Sequence, residues 1–86
     1  MTEEEYLFIR QMEIDHRDVL RRMSNIENMK NHGDIIMLHA DLISIVKAIQ
    51  EAINSRKVKS LHALDILNQM KFGFIEMLAQ TDELMS

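Results

Sequence analysis

The chain has 86 residues, 14 acidic against 10 basic side chains, a formal net charge of −4, no cysteine, no proline and only two glycines. A net negative charge argues against general DNA or RNA binding, which relies on a summed positive field. The missing cysteines exclude disulfides and thiolate metal sites, and no apolar run approaches the roughly 20 residues of a membrane span. The expectation is one cytoplasmic domain of long helices and few loops. A chain this short buries only about 60–65% of its unfolded surface, so oligomerisation would help it.

Thr2 and Glu5 have capping-box spacing, so the first helix is expected to start here. At about 100° per residue, Phe8, Met12, Val19, Met23 and Ile26 share one face with Leu20 beside them. This periodicity carries the helix to Lys30 or Asn31, with Gly33 able to close it in the left-handed conformation and Asp34 free to cap the next helix.

The second helix, about Ile35 to Ile53, is apolar over more than half its circumference. Ile35, Leu38, Leu42, Ile45, Val46, Ile49 and Ile53 lie on one side, and Ile36 and Ile43 widen the arc. Such a helix needs cover from both other helices or from a second subunit. The polar run from Asn54 to Lys59 reads as a loop, and Ser60 as the N-cap of a third helix whose core face is Ala63, Leu64, Leu67, Met70, Phe74, Met77 and Leu78. Gly73 inside that helix costs about 1 kcal/mol relative to alanine; it marks either a close approach or a neutral substitution. The fold class expected is all-α: three antiparallel helices at about 3–31, 35–54 and 60–84, one domain, assembling as a helical oligomer.

Opposite the apolar face of the first helix, Tyr6, Arg10, Arg17, Arg21 and Asn28 form one stripe. Guanidiniums headed by a phenol suit bidentate phosphate binding and base stacking; equally, arginines at helical spacing from Glu13 and Asp18 form a solvated, ion-paired face. Lys30 falls on the apolar side. Either it snorkels past a helix end whose dipole suits a cation, or it meets an anion near the free amides that open the second helix, where the Asp34 carboxylate competes for those donors. Lys71 lies within the apolar stripe of the third helix; either it is a second cation pointing into a subunit interface or it snorkels to water. The four histidines, His16, His32, His39 and His62, have no metal-ligand spacing, and no nucleophile–base pair or glycine-rich phosphate loop is present. The chain reads as non-enzymatic, with no metal or cofactor.

The segment from His16 to Ala79 resembles the hairpin domain of small phage anti-CBASS proteins, the cyclic-nucleotide sponges that blunt bacterial signalling. The matching residues are His16-Arg17-Asp18-Val19, the corner Asn28-Met29-Lys30-Asn31-His32-Gly33, the apolar helix Ile35 to Ile53, and Gly73-Phe74-Ile75-Glu76-Met77-Leu78. The resemblance implies a helical homo-oligomer, with a hexamer as one assembly size. It also implies binding of cyclic di- and trinucleotides between subunits without cleavage. Lys30 would meet phosphate; His16, or Tyr6 as the alternative, would stack on a base, beside Arg17 and Gly33. The family's tryptophan after the middle loop is missing, and Ala79-Gln80 stand where an arginine is usual. A second, trinucleotide-type site is therefore not carried over. The expected ligand is a cyclic dinucleotide such as 3′,3′-cyclic GMP–AMP. The alternative is a small regulatory factor that docks a host protein through its Met-rich apolar surface.

Overall fold

In a computed structural model the described residues are 1–26 and 32–86, the side chain of His32 excepted. They form three helices and no strand: α1 (Glu3–Ser24), α2 (His32–Asn54) and α3 (Leu61–Met85). α2 and α3 make the most extensive pairing, an antiparallel hairpin, and α1 lies across one face of it. The molecule measures 43 × 20 × 16 Å. Its radius of gyration of 13.9 Å exceeds the roughly 12 Å expected of a compact chain of this length.

The helix starts follow local chemistry. Thr2 Oγ1 accepts the Glu5 amide while Glu5 Oε1 accepts the Thr2 amide, completing the capping box. Ser60 Oγ accepts the Ala63 amide and opens α3 as expected. α1 ends earlier than the expected Lys30 or Asn31. Ser24 Oγ and Asn25 Nδ2 both donate to the Arg21 carbonyl, and the Asn25 amide closes the helix on the Arg22 carbonyl at 3.2 Å. Serine and asparagine here divert donors to a carbonyl of the last turn, and the apolar periodicity beyond them does not override that.

Gly33 corrects a second expectation. It does not take the left-handed conformation, because it lies inside α2, which starts at His32 and carries Asp34 within its first turn rather than at its cap. An acidic residue in a first turn suits the helix dipole, so the early start suits the sequence. The left-handed residue instead occurs after α2, at Arg56 with φ 59°. The Lys57 amide reaches the Ala52 carbonyl and the Arg56 amide the Ile53 carbonyl, a Schellman closure with arginine where glycine is usual.

The core lies between the three helices. Ile9, Met12 and Val19 from α1, Leu38, Leu42 and Ile49 from α2, and Leu67, Phe74 and Met77 from α3 are buried together. The expected core face of α3 is correct at every position, with Leu64, Met70 and Leu78 at its partly buried margin. Leu20 and Ile36, counted into apolar faces from the helical wheel, are about half exposed. Val58, within the polar connection, is buried against the core.

Candidate functional site

The three cations and the ring proposed from sequence are positioned by α1, and the inward side of that helix decides where they point. Burial of Ile9, Met12 and Val19 turns the Tyr6, Arg10, Arg17 and Arg21 side outward. Arg10 pairs with Glu13 at 3.3 Å and Arg21 with Asp18 at 2.9 Å, both on the exposed helix surface. Arg22 bridges to α2, reaching Asp41 at 2.8 Å. Arg17 has no ion-pair partner among the described residues. It borders an open groove of about 500 Å³ with Ile14, Asp18 and Arg21.

Tyr6 stands apart from Arg17. Eleven residues of helix separate them by about 16 Å, and Tyr6 lines its own small cleft with Arg10, Glu13 and Ile66. His16 faces a different direction again. Its ring meets the Phe74 ring edge-on, with centroids 5.3 Å apart and planes at 78°. Its Nε2 lies 3.9 Å from the point where a Cβ on Gly73 would stand. The neighbour that Gly73 faces is therefore an imidazole at ordinary contact distance. Gly33 is exposed in the first turn of α2. Lys30 and Asn28 lie outside the described residues. Within one chain, then, Tyr6, His16 and Arg17 are not brought to a common pocket.

Lys71 donates to Gln50 Oε1 at 3.0 Å, so this ammonium is held on the hairpin's own seam. His39 marks the same seam nearer the far end. Its Nδ1 lies 2.8 Å from Thr81 Oγ1, which lies 2.9 Å from the Leu78 carbonyl oxygen. Thr81 Oγ1 thus stands within hydrogen-bond distance of both His39 Nδ1 and the Leu78 carbonyl, and the other ring nitrogen, Nε2, lies 3.4 Å from Asp82 Oδ1; the tautomer of the ring sets which of the two Thr81 contacts the hydroxyl donates to. The remaining polar group of note is Glu5, which is 4% exposed. Its carboxyl is held below the usual value, first by the Ser60 amide, against burial, and further by Thr2. Among the described residues no group of three histidine or acidic side chains is placed to hold a metal.

The α2–α3 connection, a loop by its polar sequence, also carries a concave surface. Arg56 and Lys59 rim a pocket of about 440 Å³ whose walls are Ile53, Val58 and Leu64. Lys57 leaves that rim for the other side, with its Nζ 5.1 Å from the centre of the Phe8 ring. The signal available in the sequence was Val58, a lone apolar residue among charges. Comparison of the chain with protein-family models, curated proteins and solved structures found no match.

Proposed function

We propose that this chain is a non-enzymatic binding protein that holds a cyclic dinucleotide, of the 3′,3′-cyclic GMP–AMP type, between copies of itself and so withdraws the messenger from bacterial anti-phage signalling. The observation that supports a site between copies is the uncovered outer face of the hairpin. Hydrogen bonds between Lys71 and Gln50 and between His39 and Thr81 mark the α2–α3 seam. Helical spacing sets Phe72 and Ile75 beside that seam on α3, and Ile36 beside it on α2. Phe72 is 64% and Ile75 41% exposed. The whole chain exposes 5841 Å², against about 5300 Å² for a monomer of this mass. A second copy seated on this face covers these apolar side chains.

The chemistry asked of such a site is modest. Arginines offer bidentate donors to phosphate, a phenol or imidazole offers a stacking face at roughly 1–3 kcal/mol per base, and suppression follows from mass action once sites outnumber receptors. The test is calorimetry with 3′,3′-cyclic GMP–AMP beside a linear mononucleotide. Binding of the cyclic compound alone, lost in Lys30→Ala with helicity retained, supports the reading; equal heats in wild type and Lys30→Ala remove the corner from it.

A second reading rests on Met37, exposed on α2 near Ile36. A flexible thioether on an uncovered apolar surface suits docking of another protein. In that case the chain is a small regulatory factor. Nucleotides then leave its melting temperature unchanged, and a stoichiometric polypeptide co-purifies with it.

A further inference from the structure

The connection between α2 and α3 combines three features that a plain helical turn does not need. The first is conformational. Arg56 occupies the left-handed region at φ 59°, where any side chain is strained and glycine is not. The Schellman closure around it, Lys57 amide to Ala52 carbonyl and Arg56 amide to Ile53 carbonyl, is complete from backbone alone. The arginine side chain adds nothing to that closure.

The second is shape. Beside Arg56 lies the concavity of about 440 Å³ walled by Ile53, Val58 and Leu64. Val58 is buried at its base, while Ile53 and Leu64 are partly buried and pack against the main core. The apolar walls are thus anchored by the fold.

The third is charge. Arg56 and Lys59 are both exposed at the rim, and neither side chain has an ion-pair partner among the described residues. Glu5, the carboxylate bonded to the α3 start, is occupied by the amides of Thr2 and Ser60 and forms no ion pair among the described residues. It is therefore not the partner of either cation.

We propose that this turn is a binding site for a small amphiphilic anion, a carboxylate or phosphate head joined to an apolar or aromatic body. Arg56 and Lys59 take the head, and Ile53, Val58 and Leu64 receive the body. A left-handed arginine costs stability that glycine would not, and such strain clusters at ligand-contact positions. The volume accommodates a medium acyl chain or a fused aromatic ring, and a guanidinium supplies paired donors to either kind of head. The site stands apart from the nucleotide reading, which uses α1 and the α1–α2 corner.

The test is amide NMR titration of the intact chain with decanoate, 1-naphthyl phosphate, neutral 1-naphthol and inorganic phosphate. The expected result is saturable shifts centred on Ile53, Arg56, Lys59 and Leu64 with the two amphiphilic anions. Naphthol and inorganic phosphate should each bind about tenfold more weakly, because each lacks one half of the recognition. Tighter binding of decanoate points to an acyl carboxylate, and tighter binding of naphthyl phosphate to an aromatic phosphate. Arg56→Gly should keep the backbone closure, and Arg56→Gln and Lys59→Gln the fold; each should weaken both anions about fivefold or more. The proposal is overturned by shifts that map elsewhere, by naphthol or phosphate alone binding as well as the amphiphiles, or by unchanged affinity in the Arg56 variants.

Discussion

Glu5 Oε2 accepts the backbone N–H of Ser60 at 3.0 Å, across 55 residues of chain. The same carboxylate closes the capping box of α1 through Oε1 and the Thr2 amide. One side chain therefore ties the start of the first helix to the start of the third, and the residue it meets is itself the N-cap of α3.

This joint makes stability depend on acid. The Glu5 carboxyl lies below its ordinary value of 4.5 because the Ser60 amide donates to the charged form. A depressed carboxyl contributes stability above the unfolded value and loses it as pH falls through the lower folded value. Glu5→Gln should melt earlier than wild type at pH 7. The gap between the two should shrink as pH drops below about 4.5, the ordinary value. Thermal unfolding followed by circular dichroism from pH 3 to pH 7 measures this, and parallel curves would refute it.

Gly73→Ala should stabilise the chain by about 1 kcal/mol, the helix-propensity difference. Among the described residues the added methyl meets only His16 Nε2, at 3.9 Å, which is ordinary contact. Denaturant unfolding gives the value, and a loss of stability would show that α1 lies closer to α3 than this.

Arg56→Gly should also stabilise, by about 1 kcal/mol, through relief of the left-handed strain. The same substitution is expected to weaken anion binding at the turn. Stability and binding thus move in opposite directions, which a purely structural role of Arg56 does not produce.

Thr81→Val should cost about 1–2 kcal/mol. The hydroxyl is fully buried and hydrogen-bonded to the Leu78 carbonyl and to His39 Nδ1. Valine fills the space but leaves that imidazole nitrogen without its partner. Chemical denaturation of Thr81→Val beside Thr81→Ser, which keeps the hydroxyl, separates the hydrogen bond from the methyl group.

The helices themselves were legible from periodicity because every core position of α3 repeats at helical spacing, and the caps at Thr2 and Ser60 are local devices that spacing alone exposes. The end of α1 was not legible. Its apolar stripe continues through Ile26, yet the helix ends where Ser24 and Asn25 turn their side chains back onto the Arg21 carbonyl. Gly33 misled in the same way, since a glycine after a helix suggests a left-handed cap but tolerates a helical first turn equally. A helical wheel also gives a face without giving its partner. His16 is a stacking candidate by resemblance, yet which group its ring meets, Phe74, is decided by how α1 crosses α3. Tertiary ties such as Glu5 to Ser60 and His39 to Thr81 join residues 55 and 42 apart, beyond the reach of any local pattern.

The proposal that this chain binds a cyclic dinucleotide between its own copies is tested most directly by one titration. Isothermal calorimetry with 3′,3′-cyclic GMP–AMP should be run on material whose mass is read by light scattering at the same concentration. The expected result is an assembly of more than one chain that takes up the cyclic dinucleotide with a defined stoichiometry and gives no heat with GMP or AMP. A monomer at every concentration, silent toward the cyclic compound, would contradict it.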